Sequence, residues 1–229
     1  YDFEMIYFNH DGGGSSMCGN GGRCIADWAF RLGLGKSERS IENADVLSSG
    51  ILNAEISNSQ KILKFWAADG AHTAKQMLAS GWVSLTMNDV NSIQELDSNC
   101  YELNTGSPHF ISIKSEDIQE MDLVAWAQGI RYNASYSEAG INVNAVNIIG
   151  NNHIEIRTYE RGVEGETLSC GTGVTAAALS LATMKSLGGG LIHVSTRGGD
   201  LSVAFSRSPA GFCNILLQGP TKMVFKGVL

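Results

Sequence analysis

Short runs in which apolar and polar residues alternate, or in which apolar residues form brief unbroken blocks, dominate this chain. Phe3–Phe8, Leu52–Ile56, Ile62–Trp66, Trp82–Met87, Phe110–Ile113, Val143–Ile149, His153–Tyr159, Leu191–Ser195, Leu201–Phe205 and Asn214–Leu217 are the predicted strands. Helical spacing appears in fewer places. Ile25, Trp28, Ala29 and Leu32 fall at i, i+3, i+4 and i+7, as do Val174, Ala177, Ala178 and Leu181, and a weaker pattern runs from about Glu116 to Gln128. The 27 glycines against 3 prolines suit many tight turns between short strands. The expectation is an α+β fold of mainly antiparallel strands with few helices.

The pattern also repeats. "SSMCGNGGRC" leads into the first strong helix and "TLSCGTGVTAAAL" into the second. Asn9 stands nine residues before Cys18, and Arg161 stands nine before Cys170, each at the end of a strand-like run. Strand, glycine-containing loop, Cys-Gly-x-Gly and apolar helix therefore occur twice. Two similar halves follow, residues 1–115 and 116–229, with the final strands free to return to the first half.

Composition narrows the function. Hydrophobic residues at 43% and charged residues at 17% are ordinary for a soluble globular protein, and 229 residues suffice for a large core. The net charge of −7 argues against nucleic acid or an anionic membrane as partner, while leaving room for a small anionic substrate in a local pocket. No apolar run approaches the ~18 residues of a membrane span, and no signal peptide is visible. Five cysteines, an odd number, argue against a disulfide framework and for a reducing compartment. The six-residue spacing of Cys18 and Cys24, with no CxxC or HxxxH, predicts no metal site. Cys24, Cys100 and Cys213 read as small buried apolar residues.

Cys18 and Cys170 call for a different reading. A thiol at a helix N-terminus meets unpaired N–H groups and the positive end of the dipole, which favour thiolate and make the sulfur a base or nucleophile. The same N–H groups hold a carboxylate, and flanking glycines let it approach. If the two halves face each other, one sulfur takes a proton from one face of a carbon and the other gives a proton to the opposite face. Their titrations then belong to the pair, and the helix ends stabilise charge developing on the carboxylate side. That is a racemase or epimerase needing no pyridoxal phosphate or other cofactor.

"FNHDGGGSSMCGNGGRC", "NTGSPH" and "YERGVEGETLSCGTG", with "AADGAH", "GWVSLTM" and "GINVNAV", resemble the diaminopimelate epimerase family along essentially the whole chain. The resemblance implies two pseudo-symmetric halves, each a curved sheet wrapped around a central helix, with the active site in the cleft between them. It implies a cytoplasmic homodimer that interconverts LL- and meso-2,6-diaminopimelate for lysine and peptidoglycan synthesis. Carried onto this sequence, it makes Cys18 and Cys170 the acid/base pair. Gly19, Asn20, Gly171 and Thr172 then surround the reacting carboxylate and amine, and Asn9, Asn142 and Arg161 read the distal end. Glu160 touches substrate and, with His109, tunes the thiols. Each also has a plainer reading: Asn9 as a turn residue, His109 as a satisfied loop histidine, Glu160 and Arg161 as a solvated pair, "GSPH" as a turn, Thr172 as a helix start.

Two departures stand out. Ser107 occupies the place where the family usually has asparagine in "GNPH", which shortens a distal contact. The family's opening segment, with its Gly-Asn-Asp-Phe motif, is absent, so an edge of the first half and part of the substrate wall are expected to be missing. Three alternatives remain. A proline-type racemase usually carries histidine in the first motif, where this chain has Asn20. A Cys-His hydrolase would use only Cys170 and His109. A redox or binding protein would pair Cys18 with Cys170 as a disulfide.

Overall fold

The computed structural model describes residues 1–8, 12–14, 17–39, 59–97 and 99–227; Asn9 and the predicted strand Leu52–Ile56 lie outside the described residues. The strands are β1 (Phe3–Glu4), β2 (Lys36–Arg39), β3 (Ser59–Ala67), β4 (Gly70–Gln76), β5 (Val83–Thr86), β6 (Ile93–Asp97), β7 (Cys100–Asn104), β8 (Pro108–Lys114), β9 (Asn142–Gly150), β10 (His153–Glu160), β11 (Gly165–Thr167), β12 (Gly189–Thr196), β13 (Gly199–Ser208) and β14 (Gly211–Gly219). The helices are α1 (Gly19–Arg31), α2 (Leu123–Arg131) and α3 (Gly171–Met184).

The strands join into one curved path, β1-β3-β4-β5-β14-β13-β12-β10-β9-β8-β7-β6, with β2 added to β3 and β11 to β10. Pairing is antiparallel except at β1/β3, β8/β9 and β10/β12. Helix α1 packs on β3, β4 and β5, while α3 packs on β7 to β10 and β12 to β14. Each central helix is thus wrapped by its own stretch of a mixed, mostly antiparallel sheet, as the α+β expectation required. The two stretches meet where β14 pairs with β5, from Leu216 opposite Thr86 to Gly219 opposite Val83. One continuous apolar core crosses that seam.

Sequence explains the two helices differently. Helix α3 is buried from Gly171 to Ala182, so it is apolar on every side. Its hydroxyls stay satisfied locally: Thr175, Ser180 and Thr183 donate to the carbonyls of Gly171, Ala176 and Leu179 at 3.0, 2.9 and 2.9 Å. Helix α1 corrects the predicted face. Trp28 and Leu32 are 48% and 62% exposed, and the buried stripe is Gly19, Gly22, Arg23, Ala26, Asp27, Ala29 and Phe30. Two charged residues on that stripe hid it from an apolar count. Cys24 consequently faces solvent, and Cys100 and Cys213 are only partly covered, against the expectation of burial.

The weak third helix begins later than expected, at Leu123, because Asp122 caps it by accepting the Ala125 N–H at 3.1 Å. It lies outside β9 and β10. Strand β9 is therefore covered on both faces at its start, and Asn142–Val146 are all buried, the two asparagines included. Among the described residues no helix is long and apolar enough to cross a membrane.

Candidate active site

Cys18 and Cys170 are the N-cap residues of α1 and α3, with nearly the same extended backbone: φ −105°, ψ 110° and φ −120°, ψ 112°. The two helix starts abut. A methyl group on Gly171 would sit 3.1 Å from Gly19 Cα and 3.2 Å from the Asn20 nitrogen. Leu217, fully buried on β14, fills the space the two glycines leave, its Cδ2 lying 2.7 and 3.0 Å from where their Cβ atoms would be.

Over this junction opens a cavity of about 310 Å3, lined by both cysteines and by Gly19, Asn20, Ser107, Asn142, Glu160, Arg161, Gly171 and Thr172 among the expected residues. Residues far apart in sequence thus converge as the repeat predicted. His109 does not line it; the ring is fully buried behind the wall. Tyr7, Met17, Gly162 and Ser169 line the cavity without having been singled out. The repeat held a signal for Tyr7, which stands eleven residues before Cys18 as Tyr159 stands eleven before Cys170.

The two thiols have different surroundings. Cys18 is partly exposed, and its Sγ accepts the Gly21 N–H at 3.4 Å, the capping bond of its own helix. The Tyr7 phenol is raised by the charge of a Cys18 thiolate first, then by burial and by its hydrogen bond to that sulfur. Cys170 is buried, and its Sγ lies 3.3 Å from Thr172 Oγ1. Burial, followed by the charge of Glu160, pushes its thiol up to about 11. The expected lowering at a helix N-terminus is overruled at Cys170, because desolvation outweighs the dipole and the Thr172 bond.

Several expected substrate contacts have partners within the protein. Asn20 Nδ2 donates to the Ser169 carbonyl at 3.0 Å, and its Oδ1 accepts from Arg23 Nη2 at 3.0 Å, so it ties the start of α1 to the loop before Cys170. Arg23 Nη1 also donates to the Gly19 carbonyl at 3.2 Å. Asn142 donates to Ser107 Oγ at 3.2 Å and to the Pro108 carbonyl at 2.9 Å, and accepts the Arg161 N–H at 2.9 Å. The Arg161 guanidinium is exposed and donates to the Ala139 carbonyl at 3.0 Å. His109 Nε2 lies 3.0 Å from Ser107 Oγ and 2.9 Å from Thr172 Oγ1. Burial, then the charge of Arg161, drives the imidazole down to about 3, so it is neutral. Thr172 stands between His109 and Cys170, which is not the direct Cys-His contact a hydrolase needs. All five cysteines are free.

The fold is one seen in isomerases. It matches the probable proline racemase of Agrobacterium radiobacter K84 with TM-score 0.61 at 12% identity, over 97% of this chain and 72% of that one. It also matches a hydroxyproline epimerase of Agrobacterium vitis with TM-score 0.59 at 13% identity, over 94% and 67%. Those identities speak to architecture alone. Sequence is more specific: the diaminopimelate epimerase family model matches residues 101–223. The diaminopimelate epimerase of Flavobacterium psychrophilum is 36% identical over 98% of this chain and 77% of its own length. That of Aquifex aeolicus is 31% identical over 100% and 75%. The chain belongs to the diaminopimelate epimerase family and is an isomerase.

Proposed function

We propose that this chain interconverts LL- and meso-2,6-diaminopimelate by two-thiol proton transfer between Cys18 and Cys170, without a cofactor. One observation carries the reading: two free cysteines stand at the N-cap positions of two abutting helices and line one cavity. A thiolate on one side removes the α-proton, and the thiol opposite delivers its own proton to the other face. The α-carbon is inverted, each sulfur ends in the other's starting state, and no electron leaves the system. The N–H groups around Gly19, Asn20, Gly171 and Thr172 face the carboxylate position and stabilise the charge that builds as the proton departs. Cys170, pushed up to about 11, suits the donor role in the free protein, since a raised thiol holds its proton.

Arg161 on the cavity wall supplies a cation for the distal carboxylate, with Ser107 and Asn142 beside it. Asn9 and Glu160 complete the substrate contacts, and His109 with Glu160 tunes the thiols. A proline-type substrate has no second charged end for Arg161 to meet. The five unpaired thiols support a reducing, cytoplasmic setting, and family resemblance supports a homodimer, which sedimentation equilibrium tests directly. We place the division between the halves at the β5/β14 pairing, near residue 90 rather than 115, because β6 to β8 join β9 on the α3 side.

The test is α-proton exchange. LL-Diaminopimelate is incubated in D2O under reducing conditions with the wild type, Cys18→Ala and Cys170→Ala. Deuterium at one α-carbon with meso product, lost in both variants, is expected. Full activity in Cys18→Ala would overturn the two-thiol reading, and absence of exchange in the reduced wild type would overturn the substrate.

A further inference from the structure

Asn144, in the middle of β9, is fully buried and was not among the expected site residues. Its Nδ2 lies 3.0 Å from the Phe110 carbonyl, 3.4 Å from the Asn142 carbonyl and 3.1 Å from His109 Nδ1. Its Oδ1 accepts from Thr158 Oγ1 at 2.9 Å. We propose that Asn144 is a positioning residue: it fixes buried His109 as the Nε2–H tautomer and so turns the Thr172 hydroxyl proton toward Cys170 Sγ.

The orientation of the amide is determined by its neighbours. Turned the other way, its oxygen would face two carbonyl oxygens, which offer it no proton. With the NH2 group on that side, His109 Nδ1 faces a donor and must present its lone pair. The buried ring is neutral, so its single proton sits on Nε2. Nε2–H then donates toward Thr172 Oγ1 and Ser107 Oγ. Ser107 Oγ, 3.1 Å from Thr172 Oγ1, receives both the Asn142 amide and the shared Nε2–H, which occupies both its lone pairs. The sulfur at 3.3 Å is therefore the acceptor left for the Thr172 proton. In the opposite tautomer Nε2 would draw that proton to itself, and Cys170 would face an oxygen lone pair.

The third residue of Cys-Gly-Thr-Gly fits the same arrangement. A methyl on Gly173 would come within 2.8 Å of Asn144 Oδ1 and 3.2 Å of His109 Cε1. Cys170 also faces Glu160 from β10 and Cys18 and Tyr7 from the other half, while the charge of Arg161 bears on His109. A hydroxyl donor aimed at the sulfur opposes the Glu160 charge and favours the thiolate. The consequence for turnover rests on the reading of Cys170 as a proton-transferring group; the tautomer does not.

Two measurements test the proposal. In 15N-histidine spectra of the wild type, His109 is expected to show a pyridine-like Nδ1 and a pyrrole-like Nε2; the reverse pattern overturns it. Iodoacetamide labelling, read by mass spectrometry, then compares Asn144→Ala with the wild type. Cys170 is expected to react about tenfold more slowly, the loss of one hydrogen bond to a thiolate, with Cys18 unchanged. A merely structural role would loosen the packing and speed Cys170, and an unchanged or faster rate overturns the proposal. Thr172→Val should reproduce the slowing and Thr172→Ser should restore it, which keeps the test intact if Asn144→Ala does not fold. Retained α-proton exchange in Cys170→Ala would instead sink the function reading while leaving the tautomer result standing.

Discussion

The starts of α1 and α3 share backbone geometry and motif, yet place their cysteines in different chemical settings. At the α1 end the sulfur is partly exposed, capped by the Gly21 N–H and accompanied by Tyr7. At the α3 end the sulfur is buried, without a cap bond, at the tip of a hydroxyl and imidazole chain running through Thr172, Ser107 and His109. The same motif thus carries two thiols, and burial raises that of Cys170. In a proton-transfer pair of the kind proposed, one member holds a proton while the other lacks it, and the two exchange states in each turnover.

The largest effect comes from removing either member. Cys18→Ala and Cys170→Ala should each lower kcat by about 10^3-fold or more, and the double variant should be little worse than either. Turnover assays on the three variants check this. If one single variant retained most of its activity, the ends would not form a working pair.

The next effect belongs to the α3 end alone. His109 sits at about 3 when folded, against 6.5 as the ordinary value, through burial and the charge of Arg161. Between those values the unfolded chain binds a proton that the folded chain refuses. Stability therefore rises with pH across that window and is lost as pH falls from 6.5 toward 3, by at most about 5 kcal/mol. Urea unfolding at pH 7 and pH 4.5 should show a steeper acid loss in the wild type than in His109→Gln. Equal losses would mean that the ring is not held neutral in the fold.

Alkylation compares the two ends directly. A thiol moved from 9 to about 11 has roughly 100-fold less thiolate at neutral pH. In the free protein at pH 8, iodoacetamide should modify partly exposed Cys18 well before Cys170. Similar rates would erase the distinction between the ends.

What the sequence disclosed follows the same division. Helix α3 and its cysteine were legible because an all-apolar helix behind Cys-Gly-x-Gly has few other readings. The phase of α1 is hidden because Arg23 and Asp27 lie on its buried stripe, where the Arg23 Nη atoms donate to the Gly19 carbonyl and Asn20 Oδ1 and Asp27 accepts from Arg31, which no hydropathy pattern reveals. Strand β4, "GAHTAKQ", escaped notice because polar contacts stabilise it: His72 bonds to Asp69 and to the Thr86 carbonyl, and the Thr73 N–H to Thr86 Oγ1. Strands β6 and β7 run out to the sheet edge, where "IQELD" is mostly exposed and has no apolar face to announce it. The lining of the cavity was largely predicted from the motifs. The wiring behind it was not, since Asn144, His109 and Thr172 are brought together only by the β8/β9 register and the position of α3.

The smallest effect probes the contact between the ends. A methyl on Gly19 would meet Leu217 Cδ2 at 2.7 Å, but its nearest backbone neighbour is Gly171 Cα at 3.4 Å. A methyl on Gly171 would meet Leu217 Cδ2 at 3.0 Å and, in addition, Gly19 Cα at 3.1 Å and the Asn20 nitrogen at 3.2 Å. The end of a leucine side chain can rotate away; the backbone of a facing helix cannot move without shifting its cysteine. Gly171→Ala should therefore cost about 1–3 kcal/mol, and Gly19→Ala about 1 kcal/mol less, a difference of about 2–4 °C in Tm. Gly171→Ala should also lower kcat more than it changes KM, since it spreads the two sulfurs while leaving the distal wall in place. If Gly19→Ala proved the more damaging, Leu217 rather than the backbone contact would be setting the distance between the two ends.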